Sequence, residues 1–273
     1  GAEWQHLGML GPVIHAEVGD TIRVIFHNKA SRAYTMHPHG VFYDKAGEGA
    51  GYADGTDGAD KADDAVQPGT TYTYTWEVPE RSGPGPADPS SVVWLYHSHV
   101  SAPADTNAGL VGAIIVTAKG MARPDGRPAD VDREFLSLFA VTDENASWYL
   151  DENIATYADA GAVDVEDDDF VESNLMHGIN GYVYGNLPGL EMRKGERVRW
   201  YAMALGTEVD LHTPHWHGGT LLHSGNRVDT VNLLPATTLV ADMVADAPGV
   251  WMYHCHVNDH ISAGMTALYS VSE

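Results

Sequence analysis

Three short motifs recur in the same order in both halves of the chain. Gly11–Arg23 (GPVIHAEVGDTIR) is echoed by Pro188–Arg199 (PGLEMRKGERVR), Met36–Gly40 (MHPHG) by Thr213–Gly218 (TPHWHG), and Leu95–His99 (LYHSH) by Met252–His256 (MYHCH). Ordered self-similarity of this kind indicates two copies of one structural unit. A length of 273 residues agrees, because a single hydrophobic core usually stops growing near that size. The best linker is Lys119–Asp130 (KGMARPDGRPAD), which follows a strand-like run and carries two prolines. Domains of residues 1–122 and 123–273 are expected.

The local grammar is all-β. Short runs rich in Val, Ile, Tyr and Thr are bounded by Gly, Pro and Asp: Thr21–Phe26, Thr70–Trp76, Val92–Tyr96, Leu110–Val116, Phe135–Val141, Arg197–Ala202 and Trp251–His256. No long stretch keeps a helical period. Strands at this spacing point to sandwiches or barrels. Gly40–Gly58 and Arg81–Ser90 read as long loops.

Charge narrows the function classes. Fifteen Lys and Arg stand against 38 Asp and Glu, a formal net charge of -23. Such a surface repels phosphate backbones, which excludes nucleic-acid binding by a basic patch. The acidity reads as a solvated surface, or more sharply as adaptation to high salt. The run Asp164–Asp169 reads as a solvated acidic loop. No apolar run approaches 18 residues, so no membrane-spanning helix is expected. One cysteine, Cys255, excludes an internal disulfide. The 15 histidines equal Lys and Arg combined, and histidine is the commonest metal ligand.

Eight of those histidines fall in four His-x-His pairs: His37/His39, His97/His99, His215/His217 and His254/His256. On an extended segment residues i and i+2 point to one face, so each pair aims two imidazoles in one direction. A single pair arises by accident on an alternating strand; four do not. Metal coordination satisfies clustered neutral rings that burial would otherwise penalise.

Cys255 lies between His254 and His256, so its side chain points to the opposite face from theirs. His260 and Met265 follow it, and His212 comes from an earlier segment. Two His, one Cys and a Met form the donor set of a blue-copper electron-transfer centre with a weak axial Met. The strand then offers a covalent path from a one-electron centre to metals held by His254 and His256, over a span of about 10 Å.

With these motifs the chain resembles the multicopper oxidases, the family of laccases, ascorbate oxidase and ceruloplasmin. The four histidine motifs match the family in order and spacing, and the repeated unit matches its cupredoxin domains. Glu3–Gly19, Val141–Leu150 (VTDENASWYL), Glu172–Leu190 and Arg227–Ala236 look like ceruloplasmin. The two-domain laccase-like oxidases are the nearest type by size; those are trimers with the oxygen site between chains. The resemblance implies two Greek-key cupredoxin domains and four coppers per active unit. His212, Cys255, His260 and Met265 would hold type 1 copper, and His37 and His215 type 2. His39, His97 and His256 would hold one type 3 copper, and His99, His217 and His254 the other. Ser98 stands where the second half has Cys255, so only the second half would carry a blue site. Four histidines from each half imply a cluster at a first-to-second domain interface, which a head-to-tail homotrimer would supply.

Asp259 precedes His260 where some relatives carry a proton-donating Glu, and oxygen reduction needs four protons. Glu208 and Asp210 precede His212 and read as loop acids, with a donor pocket as the alternative. Asp63 and Asp64 (KADDAV) resemble a calcium-binding stretch of ceruloplasmin. His6, His15, His27, His177 and His223 are given ordinary polar roles.

The expected activity is laccase-like: one-electron oxidation of phenols or aromatic amines coupled to reduction of O2 to water. Ferroxidase or metal-ion oxidation of ceruloplasmin type is the alternative. A copper nitrite reductase keeps its blue centre in the first domain and needs three interface histidines, not eight. A non-enzymatic copper or electron-transfer protein leaves the eight imidazoles unexplained, and the clotting cofactors that share these domains have lost copper ligands. Such oxidases usually work outside the cytoplasm, and leader or N-terminal residues absent from the sequence are expected.

Overall fold

The computed structural model describes residues 2–159 and 161–273 and divides into two compact units. Gly11–Asp130 forms the N-terminal unit. Val131–Glu273 forms the C-terminal unit together with the leading segment that ends at Leu10. The division falls at Asp130/Val131 rather than 122/123. Residues 119–130 fold onto the N-terminal unit because the Glu17 carboxylate accepts from Gly120 N at 2.8 Å and Ala122 N at 3.2 Å. Ser90 Oγ donates to Asp130 Oδ1 at 2.5 Å. The leading segment goes to the other unit, where buried His6 accepts from Leu136 N at Nε2, 3.1 Å.

In the N-terminal unit the strands are β1 (Ile14–Glu17), β2 (Thr21–His27), β3 (His37–Pro38), β4 (Thr71–Glu77), β5 (Ser91–His97) and β6 (Val111–Thr117), with helix α1 (Ala102–Asn107) after β5. One sheet runs β1-β6-β5-β3 and the other pairs β2 with β4. Alternation in β4 sends Tyr74 and Trp76 inward, where they pack with Ile22, Tyr96, Ile114 and Val116. Full burial of such aromatic side chains contributes about 1.5–3 kcal/mol each.

The C-terminal unit holds β7 (Arg133–Asp143), α2 (Leu150–Tyr157), α3 (Asp168–Ser173), β8 (Leu175–Ile179), β9 (Glu191–Arg193), β10 (Arg197–Ala204), β11 (Pro214–Trp216), β12 (Leu221–His223), β13 (Asn226–Val228), β14 (Thr238–Val244), β15 (Gly249–Cys255), α4 (Asn258–Ser262) and β16 (Thr266–Ser272). Its sheets run β13-β12-β14-β10-β7-β8 and β11-β15-β16-β9. Trp200, Trp216, Tyr253, Tyr269, Phe135 and Phe139 fill the core, and Trp216 stacks on Tyr253 with centroids 4.9 Å apart.

Among the described residues the α-helices are four short pieces of five to eight residues, alongside short 3-10 turns, so the fold is all-β as expected. Part of the acidic run is not loop. Asp167 caps α3, its Oδ1 accepting from Asp169 N and Phe170 N at 3.1 Å each. Among the described residues no helix is long and apolar enough to cross a membrane.

Candidate metal centres

Each His-x-His pair straddles the end of a strand. His37, His97, His215 and His254 lie within β3, β5, β11 and β15, whereas His39, His99, His217 and His256 lie just beyond. The extended path continues because ladder-like bonds persist past the strand ends. His39 N donates to Leu95 O at 2.8 Å, His217 N to Met252 O at 3.0 Å, and His256 N to Thr213 O at 2.9 Å. Both rings of a pair therefore keep one direction.

In the N-terminal unit, His37 and His97 face each other across the β3–β5 ladder. The donor atoms of His37, His39 and His97 lie within 4.8 Å of one another, and the His99 ring is 5.1 Å from that of His37. In the C-terminal unit, His215 and His254 pair across β11–β15, and His215, His217 and His254 make a second such group. The His256 ring stands 5.5 Å from that of His215.

The rings are held by their far nitrogens. Nδ1 of His37 donates to Glu48 O at 2.7 Å, of His97 to Ser98 O at 2.9 Å, of His254 to Cys255 O at 2.7 Å, and of His215 to Asp229 O at 3.0 Å. A carbonyl accepts only, so each Nδ1 carries the proton and each Nε2 keeps a free lone pair. His39 Nε2 and His97 Nε2 are 3.2 Å apart, and His217 Nε2 and His254 Nε2 are 3.0 Å apart. Burial, reinforced by the neighbouring imidazoles, pulls His39 down to about 4. Burial also lowers His37, His97 and His254. Neutral rings with converging lone pairs are what an imidazole-binding metal needs.

The third group lies on the other face of β15. Tyr253 and Cys255 turn into the core while His254 turns away from it, so adjacent residues serve different clusters. Cys255 Sγ is 3.9 Å from His212 Nδ1 and 3.6 Å from His260 Nδ1, and the two Nδ1 atoms are 3.1 Å apart. Burial pushes the thiol up, but hydrogen bonds from His212 and His260 outweigh it and bring Cys255 down to about 6. Met265 is buried in the same core cluster, and Cys255 N donates to its carbonyl at 3.1 Å. Two Nδ1 atoms and one thiolate sulfur in a sealed pocket fit copper by softness and number.

Asp210 is not a surface loop acid. It is 1% exposed, and its Oδ1 accepts from His212 Nε2 at 3.2 Å and from Val141 N at 2.7 Å. Its Oδ2 accepts from Thr207 N at 2.8 Å. A carboxylate on the far nitrogen of a ligating histidine fixes the tautomer and raises donor basicity. The only trace of this in the sequence is an acid two residues before His212. Glu208 and Asp259 are exposed, Asp259 in the first turn of α4. His177 also proves to lie at the site. Its ring is 5.3 Å from that of His260, a proximity that 82 intervening residues conceal.

At the other candidate position, Asp63 is fully buried and its Oδ2 accepts from Gly49 N at 2.6 Å. Its Oδ1 has no hydrogen-bond partner among the described residues. Asp64 Oδ2 is 3.2 Å from Lys61 Nζ.

Comparison with known proteins agrees with this geometry. Residues 7–121 and 152–273 each match a family model described as multicopper oxidase. The chain belongs to the multicopper oxidase family. It is 50% identical over 268 residues to hephaestin of Homo sapiens, covering 97% of this chain and 23% of that protein. It is 49% identical over 267 residues to "Ferroxidase HEPHL1" of Mus musculus, with 97% and 23% covered, and 46% identical over 268 residues to ceruloplasmin of Homo sapiens, with 98% and 25% covered. The chain thus spans about a quarter of the length of the curated relatives it matches. A solved structure, "Multicopper Oxidase mgLAC", superposes with a TM-score of 0.68 at 22% identity, covering 96% of this chain and 76% of the other. That likeness shows the fold, which is cupredoxin-like.

Proposed function

We propose that this chain carries the copper sites of an oxidase that takes single electrons from a metal ion, with ferrous iron as the donor, and passes them to dioxygen. The observation behind the reading is the adjacency of Cys255 and His254 on β15, with their donor atoms in separate clusters. Copper bound at these sets would supply one-electron exchange at the sulfur-bearing group and multi-electron chemistry at the histidines.

In this reading His212, Cys255, His260 and Met265 hold type 1 copper, and His37 and His215 hold type 2. His39, His97 and His256 hold one type 3 copper, and His99, His217 and His254 the other, giving four per complete site. The chain's own work is orientation. Asp210 keeps Nδ1 of His212 turned to Cys255, and backbone carbonyls keep Nε2 of His37, His97, His215 and His254 turned to the clusters. The peptide between Cys255 and His254 is the shortest covalent route between the two kinds of set. Four ferrous ions each give up one electron, and one dioxygen takes four electrons and four protons to leave as two waters. In this reading Asp259, exposed and next to His260 in the chain, is the candidate to pass protons on, and unchanged turnover in Asp259→Asn overturns that role.

A metal-ion donor replaces the phenol or aromatic amine expected from the two-domain size and the lack of a blue site in the first half. A relative named as a ferroxidase is 49% identical to this chain over the 267 residues they align, which make up 23% of that protein. Exposed Asp259 and Glu208, and His177 beside His260, suit a cation better than an uncharged ring. Oxygen uptake by copper-loaded protein with ferrous iron and with a phenol tests this. Faster turnover of the phenol overturns the donor, and no uptake with either at full copper content overturns the oxidase.

Each complete cluster needs both half-sets of histidines. A head-to-tail ring of three copies supplies them, and so does a longer chain that repeats this segment. Sedimentation separates the two, and a fully copper-loaded, active single copy of this segment overturns both. Work outside the cytoplasm goes with the same reading. Calcium at Asp63 and Asp64 rests on the open Asp63 Oδ1, and calorimetry with calcium against Asp63→Asn tests it.

A further inference from the structure

Counted from the histidine pairs, the N-terminal unit carries Tyr34, Ser98, Pro103 and Ala108 where the C-terminal unit carries His212, Cys255, His260 and Met265. It lacks the donor set that ties β15, α4 and the segment before β11 together. Its own four histidines still need the same aim.

A buried carboxylate stands in that place. Asp105, on α1, is 1% exposed. Its Oδ2 accepts from Ser98 Oγ at 2.7 Å and from Ser101 N at 3.0 Å. Ser98 Oγ in turn accepts from Thr35 N at 3.2 Å, the counterpart of the bond from Thr213 N to Cys255 Sγ at 3.4 Å. Thr35 Oγ1 accepts from His99 N at 2.9 Å. Thr35 lies two residues before His37, and Ser98 lies between His97 and His99. The network therefore joins both histidine segments to α1. A carboxylate is costly to bury unless its oxygens are hydrogen-bonded, and such charge-assisted bonds are short and directional.

We propose that Asp105 is a positioning residue: through Ser98 and Thr35 it makes the cross-link that copper would make in the other unit, and so sets the aim of His97 and His99. The inference rests on the reading of those histidines as copper ligands. It is tested on the full chain with Asp105→Ala, Asp105→Asn and Ser98→Ala. Two quantities are read, copper content against free copper and the sulfur-to-copper visible band of Cys255. Wild-type protein that takes up no copper beyond the Cys255 site fails the underlying reading, whereas a difference between wild type and variants addresses Asp105 itself.

Asp105→Ala should weaken copper binding at the histidine sets by about 10–100-fold and leave the visible band unchanged. Asp105→Asn keeps an acceptor oxygen and should recover most of the loss. Ser98→Ala should fall between the two, and it carries the test if Asp105→Ala cannot be purified. Equally tight copper loading in Asp105→Ala, or in Ser98→Ala in its stead, overturns the proposal.

Discussion

Gly206 lies so close to the Asp210 carboxylate that a Cβ at position 206 would overlap it, and its φ of +131° is a conformation that L side chains rarely adopt. The glycine is what lets Asp210 turn under His212. Gly206→Ala should push Asp210 away, free the His212 ring and cost about 1–3 kcal/mol. Urea melts of the apo protein and the visible band after copper loading measure the two effects, and the band should weaken.

Asp210 itself can be probed more gently. Asp210→Asn keeps an acceptor for His212 Nε2 but removes the charge, and Asp210→Ala removes both. Copper affinity at the Cys255 site should fall by about 10–100-fold in the alanine variant and less in the asparagine variant. Competition with a chelator at fixed pH gives both numbers.

Cys255→Ser should remove the visible band entirely and lower the copper content by one per chain. The Cys255 thiolate is the soft donor that His212 and His260 surround, and a serine hydroxyl does not replace it. Absorption and metal analysis on the same sample check this. The histidine sets should keep their copper.

Arg199 is fully buried, and its Nε and a terminal nitrogen donate to Asp242 Oδ1 and Oδ2 at 2.7 and 2.8 Å. Asp242→Ala removes this carboxylate from a buried guanidinium and should destabilise the C-terminal unit by about 1.5–3 kcal/mol. Denaturant unfolding of the apo chain reads this loss. Replacing both partners with apolar residues of similar volume should cost less.

Glu196 gives a stability term with a defined pH window. Arg133 binds it in a bidentate pair at 2.9 Å, and that hydrogen bond is the largest cause holding its carboxyl below the usual value. The native state therefore binds fewer protons than the unfolded state just below the normal glutamate pKa, so stability rises with pH there. The contribution is complete above about 4.5 and fades as pH falls through the lowered native value. Glu196→Gln should cost on the order of 1 kcal/mol at pH 7 and nothing in strong acid. Parallel melts of the two proteins across that range read the difference.

Much of this was legible in the sequence, because period-2 side-chain geometry acts locally. The His-x-His pairs announced their common direction, and Cys255 announced its opposite one. The strands β2, β4, β5, β6, β7, β10 and β15 carry enough Val, Ile, Tyr and Trp to be read directly, each within two residues at either end, whereas long strands such as β14 and β16 were not singled out. What escaped depends on contacts between distant segments. His6 gave no sign that the leading segment would bond to Leu136. Asp210 looked like any loop acid because burial under Gly206 is a tertiary event. His177 looked ordinary because the closeness of β8 to α4 has no signature in either. The residues 119–130 looked like a linker by their prolines, yet Glu17 draws them into a fold.

The carbonyl clamps on His37, His97, His215 and His254 make these rings stiff before any ion arrives. An entering cation meets lone pairs already converged, so little rotamer freedom remains to be surrendered on loading. The same clamps outlast the ion. A site emptied by a chelator should refill without refolding, behaving more like a cast mould than a closing hand.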